Sequence, residues 1–172
     1  MENSDPNRKK WMLPAECAAV FIVAAVFVFI LAAIMGFAPF GGNSFVTMDA
    51  KIQYLDFFAY LKRVLAGDTS VFYTFEKTLG GNNIAVFAYY LSSPFNLLVV
   101  FFDQQEFHSM FTLLVALKLA TAAATFAVYL HGRFPSMKAG PLCCLSVCYA
   151  LGQYSFAQAS NIMWLDGVYM LP

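Results

Sequence analysis

CAAVFIVAAVFVFILAAIM, residues Cys17 to Met35, contains no charged side chain and is almost wholly aliphatic and aromatic. A membrane-crossing helix needs about 20 predominantly apolar residues, so Ala15 to Phe37 is expected to cross once. The charge-free stretch runs on to Met48. Arg8, Lys9 and Lys10 stand just before the run, and clustered basic side chains beside a span stay on the cytoplasmic side. The N-terminus is therefore expected in the cytoplasm. A cleaved signal peptide would have a shorter apolar core, about 7–15 residues, followed by a small-residue cleavage site. Here the run is longer and Pro39 follows Phe37-Ala38, so the segment reads as a permanent anchor.

Composition extends that reading to the whole chain. Hydrophobic residues make up 60% and charged residues 12%, about half the charged share of a soluble domain. Ten basic residues balance ten acidic ones, which leaves no electrostatic footprint for nucleic acid. Cys17, Cys143, Cys144 and Cys148 all fall in apolar runs. Neither their spacing nor their surroundings fit a disulfide framework or a metal set, and they are expected as buried, inert thiols.

Two further runs are long enough to span. Met110 to Leu130 is interrupted only by Lys118, and Ala139 to Ala159 carries no charge. Between them His131-Gly132-Arg133-Phe134-Pro135-Ser136-Met137-Lys138 forms a short basic turn, which belongs in the cytoplasm. The segment Ile84 to Phe102 is apolar but interrupted by Ser92-Ser93-Pro94 and Asn96. As a crossing it would place Arg133 and Lys138 outside, against the positive-inside rule, and its aromatics suit an interfacial or re-entrant element. The expected fold is thus an all-α integral membrane protein. Three transmembrane helices, about 15–37, 110–130 and 139–159, carry one extracytoplasmic loop, about 41–109, with amphipathic and interfacial helices.

Within that loop Asp49, Gln53, Asp56, Tyr60 and Arg63 recur every three or four residues, which places them on one helical face. Ile52, Leu55, Phe58, Leu61 and Leu65 cover much of the rest, so a helix lying along the outer leaflet and ending near Gly67 is expected. Asp49 has two readings: a helix cap, or a general base facing a cleft above the membrane. Gly80-Gly81-Asn82-Asn83 signals a turn that could also bring backbone close to a ligand. Lys118 near the middle of its span is expensive there and invites a functional role. It would either neutralise an anionic group such as a lipid phosphate or pair structurally with Glu16 or Asp166. Asp166 follows the interfacial Trp164 and is either a solvated loop aspartate or a second carboxylate converging with Asp49.

Several of these segments, taken in order, resemble one family. Asp49 with Gln53-Tyr54, then Leu79-Gly80-Gly81-Asn82, Ser92-Ser93-Pro94-Phe95-Asn96-Leu97 and Asn161-Ile162-Met163-Trp164-Leu165-Asp166 are similar to the N-terminal part of the bacterial YfhO family. The resemblance runs from about Phe45 to Pro172. It implies a bacterial cell-membrane glycosyltransferase of the type C fold, which transfers a sugar from a polyprenyl-phosphate carrier to a cell-surface polymer such as teichoic acid. The partners would then be the lipid bilayer, the lipid-linked sugar donor and the glycopolymer acceptor. In such a fold an acidic residue of the first external loop is the catalytic candidate, here Asp49, with Gln53 and Tyr54 as neighbours and Lys118 and Asp166 as further contributors. A leaving phosphate wants a cation, either a side chain or a divalent metal, although no metal-ligand set is identified. A transporter or flippase, which Lys118 favours, and a non-catalytic assembly subunit are the alternatives. Family members carry many more spans, so residues 1–172 are expected to be one N-terminal membrane region of a larger protein, with an incomplete active site.

Overall fold

The computed structural model describes residues 6–47, 50–75 and 80–172, with side chains from Leu13 onward. The side chains of Arg8, Lys9 and Lys10 therefore lie outside the described residues. The chain divides into two compact units. The first comprises Met1–Leu31, Val115–Ala159 and Trp164–Pro172, the second Ala32–Leu114 and Ser160–Met163.

Helix α1 (Pro6–Ile34) carries Glu16 as its one charged side chain over Leu13–Ile34, a stretch long and apolar enough to cross a membrane. Its buried stripe is Val20, Ala24, Val28 and Ala32, each four residues after the last and so on one face. Ile22, Val26, Phe27 and Ile30 on the remaining faces are about half exposed, as suits a helix with lipid on its other sides. Gly36 ends the helix in the left-handed region at φ 64°. The Phe37 N–H then donates to Ala32 O at 2.8 Å, closing the C-terminus in a six-to-one turn.

The second helix of membrane-crossing length covers Gln104–Arg133, most of it α4 (Phe107–Arg133). It begins in a capping box: Asp103 receives the N–H of Glu106, and the Glu106 carboxylate receives the Asp103 N–H at 3.1 Å. Two otherwise orphaned donors are thereby satisfied. His131 and Arg133 sit in the last turn, against the negative end of the helix dipole. The buried face of α4 is rich in alanine (Ala116, Ala120, Ala123, Ala127), and small residues let membrane helices approach closely. In the first unit α1 meets α4 where Cys17 Sγ lies 3.8 Å from Ala124 O.

The run expected as one crossing at 139–159 is divided. Helix α5 (Ala139–Ala150) stops after 12 residues, and Gly152 adopts an extended ψ of 160° before the short α6 (Gln153–Ala157). Helix α7 (Ile162–Met170) follows. Hydropathy is uninterrupted across the break because Leu151 and Gly152 add no charge, so composition alone reads straight through it. Phe126 of α4 stacks on Tyr149 of α5 at 4.2 Å between centroids and 9° between planes. The Tyr149 hydroxyl donates to Val168 O on α7 at 2.7 Å, tying the divided segment together. The four thiols also differ from expectation: Cys144 and Cys148 are exposed and Cys17 and Cys143 half-buried. An apolar helix surface need not be covered by protein.

In the second unit a π-helical turn, Ala50–Tyr54, leads into α2 (Leu55–Ala66). Gly67 ends α2 at φ 87°, its N–H reaching Val64 O, at the position the sequence marks. The buried residues are Ala50, Tyr54, Phe58, Tyr60 and Leu61, whereas Ile52 and Leu65 are exposed. A two-stranded antiparallel ladder, β1 (Tyr73–Thr74) with β2 (Gly81–Asn82), pairs Tyr73 with Asn82 and Thr74 with Gly81. Helix α3 (Ile84–Val86) continues through Leu91 and is followed by a 3-10 helix, Pro94–Phe101. The two halves meet at 91°. Pro94 lacks an N–H and forces Ser93 into an extended conformation, which stops the first helix. Asn96 Nδ2 donates to Tyr90 O across the bend at 3.1 Å.

Candidate functional site

Asp49, the residue singled out as a catalytic carboxylate, lies outside the described residues, and so does its expected convergence with Asp166. The structure does place the other four candidates. It puts them in different surroundings.

Gln53 lies half-buried in the turn that opens the second unit's helix, and its side chain lines a cleft of about 190 Å³. Asp56 and Tyr60 follow it around the same face, three and seven residues on, because helical periodicity brings those positions into register. Thr74 and Asn83, one at the end of β1 and the other directly after β2, also line the cleft. Ile52 and Phe57 supply its apolar lining. The Tyr60 hydroxyl is already committed, donating to the carbonyl of Ser70, and so holds α2 against the chain that leads into β1. Asn83 is only 3% exposed. Its backbone N–H donates to Phe72 O and its carbonyl accepts from Phe87 N, both at 2.9 Å, which fixes the residue and leaves its amide in the cleft lining.

Tyr54 sits one residue from Gln53 yet has no exposed surface. Its ring meets Tyr90 at 5.4 Å and Phe111 at 6.0 Å, both edge-on, and Phe58 at 6.1 Å. Edge-to-face packing of this kind is favourable beyond simple burial. The hydroxyl accepts from Met163 N–H at 3.4 Å. Tyr54 is therefore a core residue that fixes the turn carrying Gln53.

Lys118 and Asp166 belong to the first unit and to each other. Lys118 Nζ stands 2.8 Å from Asp166 Oδ1, with side-chain exposures of 0% and 20%. Of the two carboxylates considered as partners for the lysine, the structure selects Asp166. Glu16 lies instead 3.8 Å from His131 Nδ1. An intramembrane ammonium without a counter-charge is costly, and Asp166 supplies one from α7.

A second hollow, about 380 Å³, lies on another side of α2 and carries charges of both signs, among them Lys62, Arg63, Asp68 and Asp103. Lys62 Nζ donates to Phe102 O at 2.6 Å and pairs with Asp103 at 3.2 Å. Among the described residues no group of three or more His, Cys, Asp and Glu side chains could hold a metal ion. The sequence marked Asp56 only as one of a polar face and Asn83 only as part of a turn. No local signal links them, since 27 positions of sequence separate side chains that the fold places in one lining.

Comparison with protein families matches residues 19–172 of the chain to the model described as bacterial membrane protein YfhO. No curated protein and no solved structure matches the chain.

Proposed function

Because the chain belongs to the YfhO family of bacterial membrane proteins, we propose that it forms the N-terminal membrane region of a glycosyltransferase. The enzyme would take a sugar from a polyprenyl-phosphate carrier and pass it, outside the cell membrane, to a surface polymer such as teichoic acid. Family membership supports the membrane setting and a glycosyltransferase-like role. The observation that carries the reading further is the polar cleft beside α2, which begins one helical turn after Asp49 in sequence.

In this proposal the N-terminus and the basic turn 131–138 are cytoplasmic, and residues 41–109 form a folded extracytoplasmic element. The apolar segment 139–159 crosses as a broken span, and the bent pair Ile84–Leu91 and Pro94–Phe101 re-enters the outer leaflet without crossing. Asp49 is the general base. Its carboxylate takes the acceptor hydroxyl proton as that oxygen bonds to the anomeric carbon, and the bond from the anomeric carbon to the phosphate oxygen breaks. Gln53 contributes to substrate contact from the cleft, and Tyr54 positions its turn from behind. Lys118 and Asp166 act together as a charge pair joining α4 to α7. The transport alternative drew on Lys118 as a lone intramembrane cation, and the carboxylate at 2.8 Å gives that lysine a structural partner.

The test is genetic. Wild type and Asp49→Asn are expressed at matched membrane levels in a strain lacking the gene, and sugar on the surface polymers is assayed. Glycosylation restored by wild type and lost with Asp49→Asn is the expected result. Full restoration by Asp49→Asn would return Asp49 to a capping role, and unaltered surface sugars in the deletion strain itself would remove the transferase reading.

A further inference from the structure

We propose that the cleft beside α2 is a binding subsite for an uncharged, hydroxyl-rich sugar ring, with Gln53, Asp56 and Asn83 as its hydrogen-bonding residues and Phe57 as its apolar face. The inference deepens the transferase reading and rests on it for the origin of the sugar.

A pyranose presents adjacent hydroxyls, each both donor and acceptor, around a ring whose C–H faces are apolar. The partners that satisfy such hydroxyls are planar groups with two polar atoms side by side. A carboxylate accepts twice, and an amide accepts through oxygen and donates through nitrogen. The cleft brings together one carboxylate, Asp56, and two carboxamides, Gln53 and Asn83, with an aromatic ring beside them. Ligand sites generally combine apolar walls with a few placed polar groups, and this lining has that composition.

Among the described residues of the lining Asp56 is the one charged side chain. A phosphate placed against the Asp56 carboxylate would meet like charge. A neutral sugar meets no such penalty.

Among the described residues, no hydrogen bond or ion pair engages the Asp56 carboxylate, the Gln53 amide or the Asn83 side-chain amide. Asn83 is 3% exposed as a residue, and its side chain forms part of the cleft lining. Both its backbone groups are satisfied, which fixes the stretch of chain that carries the amide at the cleft. A preformed polar group of that kind is paired at little entropic cost when a hydroxyl arrives.

The experiment uses the intact membrane protein in lipid nanodiscs. Saturation-transfer NMR is recorded with methyl β-glucoside, methyl β-galactoside and methyl N-acetyl-β-glucosaminide as probes, and with glucose 1-phosphate as an anionic comparison. Expected is saturable transfer to at least one methyl glycoside, in preference to glucose 1-phosphate. Asp56→Asn and Gln53→Ala should each weaken it about tenfold, with the melting temperature unchanged. No transfer to any methyl glycoside, preference for glucose 1-phosphate, or unchanged affinity in both variants would overturn the subsite. The two readings fail separately. Polymer glycosylation abolished by Asp49→Asn, in a protein that binds none of the methyl glycosides, removes the subsite and keeps the transferase. Sugar binding that depends on Asp56 and Gln53, with surface sugars unaffected by gene deletion, supports the subsite and removes the transferase.

Discussion

Lys118 and Asp166 set opposite costs against each other at a single contact. Withdrawing an ammonium wholly from solvent is unfavourable by several kcal/mol, and a carboxylate at 2.8 Å offsets much of that through short-range attraction. The asymmetry in exposure, 0% against 20%, leads to an ordered expectation. Asp166→Leu deprives a fully buried ammonium of its carboxylate and should destabilise the protein by about 3–5 kcal/mol. Lys118→Met leaves a carboxylate that still reaches solvent and should cost less. The double variant should lie closer to wild type than Asp166→Leu does, because a buried pair replaced by apolar groups is often neutral. Thermal unfolding in detergent measures all three, and strictly additive losses would contradict the pairing. Tyr54 gives a second residue-level expectation. Its hydroxyl accepts a long bond, 3.4 Å, from Met163 N–H, and its ring is fully buried among three aromatics. Tyr54→Phe should therefore change stability by under about 1 kcal/mol, and Tyr54→Ala should cost about 3–5 kcal/mol. Equal losses by denaturation would show that the hydroxyl matters more than the packing.

At the scale of elements, the bent pair between Ile84 and Phe101 decides how the chain is threaded. Leu91, Ser93, Asn96 and Val99 are buried at and after the bend, while Ile84, Leu97 and Phe101 are exposed, so apolar surface is presented on both arms. On the proposed threading the pair enters and leaves on one side. With the four native cysteines replaced, Ser70→Cys and Gln105→Cys should both react from outside intact cells with a membrane-impermeant maleimide, and Ser136→Cys should not. Ser70→Cys and Gln105→Cys labelling from opposite faces would make the pair a crossing. These elements also show what local sequence can carry. α1 and α4 were legible because length and hydropathy alone define a span, and the end of α2 was legible because Gly67 takes a conformation that glycine adopts without penalty. The break at Leu151–Gly152 was not legible, since an uncharged glycine in an apolar run leaves hydropathy unchanged. The buried face of α2 was misjudged for a related reason. Ile52 and Tyr54 are both largely apolar, and only packing against Phe111 and Tyr90 decides that Tyr54 turns inward and Ile52 outward.

For the whole molecule, the site is less legible than the fold because its parts come from separate stretches. Gln53 and Asp56 share a helical face and could be grouped from spacing, but Thr74 and Asn83 join them only through the β1–β2 ladder, a pairing of two residues per strand that no hydrophobic pattern announces. Lys118 and Asp166, 48 positions apart, come together because α7 returns to α4, which spacing leaves open. The proposed transferase joins a family assignment over residues 19–172 to a cleft assembled by tertiary structure. The central claim is that a sugar is transferred from a lipid carrier with Asp49 as base, and in vitro transfer tests this most directly. The intact protein, reconstituted in liposomes with a radiolabelled polyprenyl-phosphate sugar and purified teichoic acid, should move label to the polymer. Asp49→Asn should reduce the rate about a hundredfold or more, the contribution typical of a general base. Transfer by Asp49→Asn at the wild-type rate, or none by either protein while the labelled carrier is still present, would contradict the account.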